Sequence, residues 1–493
     1  MVGTSTFYRR NTTPGCGSAT LDGLDPFNTS QNEAITNWGS QGADAGLYAN
    51  SDIYAVRILA MEPTSHSGRG PGIDNSRVRG YYNHASERLR ILGEVPLRKS
   101  DSEGNAVMDA NSDPYTSFLA KIPADTPFTF QTLDKGGLSL YMSQTWHQLR
   151  PGEVRNNCGG CHSHSQQSSP FAGTAASKPD YNLLDLVLGT PLLSKNSAGE
   201  TILTEQAERA LDVEYYRDIK PILQLSCVSC HSEDGRQEAQ LVLDDESIVD
   251  GLENTYNRLC RDSSANYGIK PVISNGQWRQ TNASRYVRRF QSRGSLLIWK
   301  IFGRRLDGWR NEDHPTESTP GDPSTLPEGA NPNNADLDFT ATIMPPPEAE
   351  VPALSENEKM LFARWIDLGA PINSPDAVKA AFGWFADDLR PTLTVSLPPR
   401  DRSPEPLSLI RIGAYDYNSG LDRTSLSIVA DFEINGQPAQ SLPSYLRKRV
   451  ITCGPSASIR PSPICIAVNS LSASKTPVEA SPPQLVRSAL GTP

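Results

Sequence analysis

The sequence predicts a multidomain α+β protein. A β-sandwich lies near the N-terminus, a mostly helical central region with long loops follows, and an immunoglobulin-like β-sandwich ends the chain. Three observations carry this reading. Short apolar runs alternating with polar residues, punctuated by Pro and Gly, cluster between 52 and 134 and again beyond 392. Helix-forming runs with a 3.6-residue apolar period lie between them. The chain holds 39 Pro and 37 Gly and is only 37% hydrophobic, so it has many turns and no single large apolar interior. For 493 residues, about three domains are expected. The limits fall at 1–50 (an irregular arm), 51–145 (a β-sandwich), 146–385 (the central region) and 386–493 (a β-rich immunoglobulin-like domain).

Residues 1–50 are rich in Gly, Asn, Ser and Thr without periodicity, which predicts an extended arm. Strands are expected over 52–60, 88–97, 117–123 and 127–134, the last closed by Lys135-Gly136-Gly137. Residues 203–231 read as helical. Glu205 to Leu211 is a strong helix-forming run, Asp212 to Leu225 continues it, and Pro221 marks a kink or a fresh first turn. Further helices are expected over 244–260 and 295–306. Residues 307–353 form a Pro-, Asp- and Asn-rich loop of a length that usually signals function. Ser355 and Glu358 form a capping box that opens a helix over 355–368. Leu361, Trp365 and Leu368 line its apolar face, and Gly369 closes it. Beyond 392, strands are expected over 393–397, 409–414 and 425–434, with Asn435-Gly436 as a hairpin turn.

The chemistry is concentrated in two pentapeptides, Cys158-Gly159-Gly160-Cys161-His162 and Cys227-Val228-Ser229-Cys230-His231. Two thiols three positions apart can add to the two vinyl groups of a haem, and the next residue then lies beneath the iron. Chance gives about 0.002 such motifs in a chain of this composition. Zinc sites and redox dithiols use the same residue types. A His directly after each pair, twice, is the haem pattern. The central region is therefore read as a dihaem cytochrome c region carrying two covalently attached haem c, with His162 and His231 as proximal iron ligands.

The opposite faces of the irons need a second ligand or stay open for chemistry. The other histidines are His66, His84, His147, His164 and His314. For the first haem the candidates are His147, on a lead-in segment that also carries Met142, Trp146, Arg150 and Arg155, and His164. His164 is too close to His162 to swing easily to the opposite face, and suits a propionate, a neighbouring haem or a metal better. For the second haem the candidates are His314 and Met344, both in the 307–353 loop.

The net charge is −10 and no Lys/Arg-rich run occurs, so nucleic acid is not an expected partner. No apolar run approaches the length of a transmembrane helix. The first residues lack the apolar core of a signal peptide, whereas haem c is attached outside the cytoplasm. A periplasmic or extracellular location is therefore expected, with the export signal outside the given chain. In that setting Cys453 and Cys465 are expected to pair, and Cys16 with Cys260 is the remaining combination.

Several stretches resemble the hydrazine synthase alpha subunit family. RILGEVPL (90–97), IPADTPFTFQTLD (122–134) and LRPGEVRNNCGGCH (149–162) are similar to its middle domain. IWKIFGRRLDGW (298–309), NEDHP (311–315) and the stretch 343–372 are similar to its dihaem cytochrome part. The resemblance spans about 85–375, with both motifs in register. It implies bis-histidine ligation of the second haem, with His314 as distal ligand and Met344 packed nearby. Two features depart from the family. Gln166 stands where the family has a tyrosine that ligates iron, and the chain has no room for the family's N-terminal β-propeller. A zinc bound by the first motif histidine and a remote cysteine, as the resemblance implies, would here use Cys16 or Cys260.

Three functions follow as expectations. The first is an exported dihaem cytochrome that passes electrons between redox protein partners. The second is a haem enzyme of the hydrazine synthase-like family, with an open first haem and the second as its relay. The third is a structural subunit of an extracellular cytochrome assembly, as a homo-oligomer or filament.

Overall fold

The computed structural model describes residues 1–8, 48–62, 88–99, 103–108, 112, 114–143, 146–156, 170–206, 212–235, 241–249, 252–260, 273–274, 277–278, 286–319, 322–330, 338–340, 342–372, 392–397, 409–415 and 464–469. The chain divides into two compact units, Met1–Trp384 and Phe385–Pro493.

The first unit opens with β1 (Val2–Thr4), β2 (Ala55–Glu62), β3 (Arg88–Pro96), β4 (Phe118–Lys121), β5 (Phe128–Leu133) and β6 (Ser139–Met142). Next come β7 (Leu184–Asp185), β8 (Thr190–Lys195) and β9 (Thr201–Gln206). Then follow α1 (Lys220–Ser226), β10 (Ile248–Val249), β11 (Leu252–Glu253), α2 (Asn254–Cys260), β12 (Ile273–Ser274), β13 (Gln277–Trp278), α3 (Leu296–Phe302) and α4 (Glu356–Asp367). Strands β3-β2-β5-β6 form an antiparallel sheet, and β1-β4-β7 form a smaller one.

Alternation along β2 sends Val56, Ile58 and Ala60 to one face. They meet Leu92, Val95, Phe128 and Leu140, together with Val2, Phe118 and Ala120 of the small sheet. Leu59 on the other face joins Leu89, Ile91, Leu138 and Met142 in a second core, shared with residues of α1 to α4. The four-stranded sheet is thus buried on both sides. A bulge where the register shifts opposite Ile58 and Leu59 breaks the alternation of β3. It lets Leu89, Ile91 and Glu94 reach the same side. Gly93 is required there, because a Cβ would stand 2.7 Å from Leu186 Cδ2.

That second face holds a buried polar network. Arg57 donates from Nε to Glu94 Oε1 (2.8 Å), and from Nη1 to Gln131 Oε1 (2.9 Å) and Asp367 Oδ2 (3.0 Å). Arg364 Nη2 donates to Glu94 Oε2 (3.0 Å) and to the Leu193 carbonyl (2.6 Å). The amides of Ser139 and Ser292 donate to Asp367. The sheet, β8 and α4 are therefore joined by buried charges that pair across them.

The expected architecture is overturned at its centre. Among the described residues it has only four short α-helices, set among small sheets and turns. Glu205, the start of a strong helix-forming run, lies in β9, which pairs antiparallel with β8 from Thr201 to Gln206. Cross-strand pairing along Thr190–Lys195 outweighs a propensity worth well under about 1 kcal/mol per residue. The single helix expected from Asp212 is a π-helical turn (Tyr215–Ile219) followed by α1, with Pro221 in its first turn, where no amide is needed. The helix expected over 244–260 is α2 alone, preceded by the β10–β11 hairpin. The N-terminal β-sandwich is also corrected. Its larger sheet packs on the small sheet by one face and on the central region by the other, so it is not a free-standing sandwich.

In the second unit β14 (Thr392–Leu397), β15 (Leu409–Tyr415) and β16 (Ile464–Asn469) form one antiparallel sheet. Among the described residues this is a single sheet and not an immunoglobulin-like pair. The strand expected over 425–434 and the Asn435-Gly436 turn lie outside the described residues.

Two predictions follow from the network. Arg57→Met leaves Glu94 and Asp367 under-compensated and should cost about 3–5 kcal/mol in urea unfolding, whereas Lys121→Ala, which breaks the exposed Lys121–Asp185 pair, should cost no more than about 1 kcal/mol. Burial alone would raise the Glu94 carboxyl, but Arg364 and Arg57 outweigh it and hold Glu94 at about 2. A carboxyl lowered on folding stabilises above its unfolded pKa and loses that contribution as the pH falls. Between about pH 4.5 and 2 the protein should therefore lose on the order of 3 kcal/mol, a loss that Glu94→Gln removes from the stability–pH curve.

Candidate haem-attachment site

The second motif closes α1. The amides of Cys227 and Val228 both donate to the Leu223 carbonyl (2.9 and 3.0 Å), finishing the helix. The amides of Cys230 and His231 then both donate to the Cys227 carbonyl (3.2 and 3.1 Å), and the His231 carbonyl accepts from Leu243 (2.8 Å). The pentapeptide is thus a tight turn with both ends fixed. Cys227 and Val228 pack on the core that holds Ile222 and Leu223.

The turn inherits its position from aromatic contacts. Tyr215 donates its hydroxyl to Glu253 Oε1 (2.8 Å), and Lys220 Nζ donates to Glu253 Oε2 (2.7 Å), fixing the start of α1 to β11. The Tyr215, Tyr256 and Trp365 rings stand 5.4–6.3 Å apart. The Tyr215 amide and Trp365 Nε1 both donate to the Pro371 carbonyl, and the Tyr256 hydroxyl donates to the Ala370 carbonyl.

The donor set suits a porphyrin better than an ion. Burial, with a smaller contribution from Cys230, pushes the Cys227 thiol up to about 12, so it is a neutral thiol. Zinc-binding and redox-active cysteines have lowered values instead. Among the described residues no three His, Cys, Asp or Glu side chains gather as a metal site, so Cys227, Cys230 and His231 do not converge on one point. Haem c does not ask them to: its thiols meet the ring edge and its imidazole meets the iron.

Both distal candidates lie beyond α3. That helix ends at Gly303 in the left-handed region (φ 68°), where a Cβ would stand 2.9 Å from Ile343 Cβ. The Met344 amide donates to the Lys300 carbonyl (2.7 Å), so half-buried Met344 sits against the last turn of α3. The long loop is ordered by side chains. Asn311 exchanges two hydrogen bonds with the Phe339 backbone (3.0 and 2.9 Å), and Thr316 donates to Asp338 (2.7 Å). Arg305 pairs with Asp307 and lies over the Trp299 ring at 4.5 Å. His314 is buried, its ring 5.8 Å from that of Trp309. Burial first, then the Arg305 charge, lower it to about 4, against a smaller pull from Asp313. It is a neutral imidazole at neutral pH, the form a metal ligand requires.

His147 is placed differently. Its backbone exchanges two hydrogen bonds with Phe128, and its half-buried ring lies 5.8 and 6.1 Å from those of Phe128 and Phe130. Of its neighbours, Trp146 packs on the larger core, Arg150 is exposed and Arg155 pairs with Glu153. The lead into the first motif is held on the small sheet, where Gly3 donates to the Arg155 carbonyl (2.9 Å). Cys158, Cys161, His162, His164 and Gln166 lie outside the described residues, as do His66, His84, Cys16 and Cys453. Cys260 is a buried core thiol, and no disulfide occurs among the described residues. The sequence reading missed Arg57, Glu94, Arg364 and Asp367. The available signal was a charged residue inside a strand with apolar residues on both faces.

Residues 51–163 match the family model of the hydrazine synthase alpha subunit middle domain, a span that takes in β2 to β6 and the first motif. The chain is 26% identical over 302 residues to hydrazine synthase subunit alpha of Kuenenia stuttgartiensis, covering 52% of this chain and 34% of that protein. The solved Kuenenia stuttgartiensis hydrazine synthase aligns at 19% identity with a TM-score of 0.40, over 76% of this chain and 44% of that one.

Asn311→Ala removes both bonds to Phe339. The expected cost is local, about 1–3 kcal/mol, read as faster amide exchange at Phe339 while the amides of β2 and β5 keep their protection.

Proposed function

We propose that this chain, related to the hydrazine synthase alpha subunit, carries two haem c groups and transfers electrons outside the cytoplasm between redox protein partners. The observation that carries the proposal is the second motif: the neutral thiol of Cys227, the thiol of Cys230 and a histidine on a fixed turn after a short helix. Cys227 and Cys230 would hold the porphyrin, His231 would ligate its iron, and His314 is the favoured distal ligand over Met344. The bound haem would supply a one-electron couple at iron. The protein's part is to keep the ligand loop in place through Asn311 and Thr316, and to present His314 neutral. Cys158, Cys161 and His162 would hold the first haem.

A second reading is a haem enzyme whose first iron is open. It draws support from the middle-domain match, which reaches across the first motif. It is also favoured by the packing of His147 on Phe128 and Phe130, which engages the ring elsewhere.

The proposal is tested on protein matured in a host that attaches haem c. Pigment should resist acid–acetone extraction, and the double variant Cys227→Ser, Cys230→Ser should lose one of two covalent haems. A colourless protein, or pigment fully extracted by the solvent, ends it. His314→Ala should give a high-spin band that Met344→Ala does not. Carbon monoxide separates the two readings: native protein that binds none is a carrier, and binding at one haem that survives loss of the second motif favours the enzyme.

A further inference from the structure

We infer that the outer side of α1 and the strip running beside it form the docking surface for a small basic electron-transfer protein. The inference deepens the carrier reading and rests on it.

Two anchors define the strip. At one end the Leu243 amide donates to the His231 carbonyl and the Glu233 amide donates to Asp244 Oδ1 (2.9 Å). At the other, Lys220 at the start of α1 pairs with Glu246 (2.8 Å) and with Glu253 (2.7 Å). Residues 243–249 therefore run back along α1, from the attachment turn to the helix start.

This region exposes apolar side chains that a folded chain would normally cover. Leu225, on α1 two residues before Cys227, is 59% exposed, and Ile248 and Val249 of β10 are 54% and 41% exposed. The same segments expose the carboxylates of Glu233, Asp234 and Asp244, and of Glu246, which pairs with Lys220. The cations in the same strip are already engaged, Lys220 by Glu246 and Glu253, and Arg258 by Asp245. Exposed apolar side chains flanked by charged ones are the composition of a protein interface. A rim of one sign selects a partner of the other and speeds its approach. Electron exchange requires close approach to the cofactor, and this patch borders the turn that would hold it. The partner that fits is a redox protein with a lysine-rich rim around an apolar cofactor edge.

The test uses the full chain and a small lysine-rich cytochrome c whose iron is replaced by redox-inert zinc, with binding read by calorimetry. An acidic redox protein of similar size is the comparison. Binding to the basic probe should be lost at high salt. It should weaken about tenfold or more in the triple variant Glu233→Lys, Asp234→Lys, Glu246→Lys, and weaken also in Leu225→Ser, Ile248→Ser. Glu200→Lys, an exposed acid on the hairpin joining β8 to β9, should leave it unchanged. Equal binding by the triple variant, equal binding of the acidic probe, or self-association of this chain through the same residues would overturn the inference. Because the readout is binding, a chain that lacks the second haem and still binds leaves the surface standing while the carrier reading fails.

Discussion

The structure depends on the pairing of Arg57 and Arg364 with Glu94 and Asp367 inside the first unit. Each of these groups is almost fully withdrawn from water, and each alone would cost several kcal/mol to bury. They are compensated only when β2, β3 and α4 come together, since Glu94 takes one arginine from the sheet and one from the helix. Apolar packing tolerates sliding by part of a residue. A carboxylate held between two guanidinium groups does not, so the network fixes the register of α4 on the sheet.

That register is passed on to the attachment turn. Trp365, Ala370 and Pro371, at the end of α4, receive or pack the Tyr215 and Tyr256 side chains and the Tyr215 amide. Tyr215 and Lys220 then meet Glu253 from the π-helical turn and the first residue of α1. The helix itself has seven residues and no independent stability at that length. Its direction, and so the place of Cys227, Cys230 and His231, is set from outside through carbonyls and one buried carboxylate. Helices α2 and α3 are equally short, so the centre is organised by tertiary contacts and turns.

How much of this could be read from residues alone follows the range of the forces involved. Strands β2 to β5 and helix α4 were legible because local signals decide them: period-two alternation, and a capping box in which Ser355 and Glu358 hydrogen-bond to each other's backbone. The first part of 203–231 was misread because Glu205 has a good helical propensity, while β8, which pairs with it, is not marked as a partner in the sequence. The mostly helical centre was drawn from local helix-forming runs, and only one of these, Glu356–Asp367, is a helix of more than seven residues among the described ones. Arg57 was not singled out in its alternating strand. A sheet buried on both faces needs a second layer from far along the chain, and only the fold brings Asp367 there. The two pentapeptides stood out at once, because covalent attachment needs its residues adjacent in the chain. The distal side does not, and the burial of His314 could not be seen in Asn311-Glu312-Asp313-His314-Pro315.

Carrier and enzyme differ physically in how freely the sixth position of an iron exchanges its occupant. For a haem held by the second motif, the proposed surroundings would resist exchange. The attachment turn is tied at both ends by backbone hydrogen bonds, and the loop that holds His314 is laced by Asn311 and Thr316 to the segment of Phe339 and Asp338. A haem held on both sides in the proposed way would have little reorganisation to undergo on oxidation, which would suit electron transfer and disfavour substrate entry. The first motif is governed by other residues. The His147 ring lies tilted against those of Phe128 and Phe130, and the sequence has Gln166 where the resembled family has a tyrosine. An amide is a weak iron donor, so a haem held by the first motif would take its further ligand from solvent or from a partner. The two haems proposed here would then differ in kind: one closed by the fold, the other defined by what reaches it.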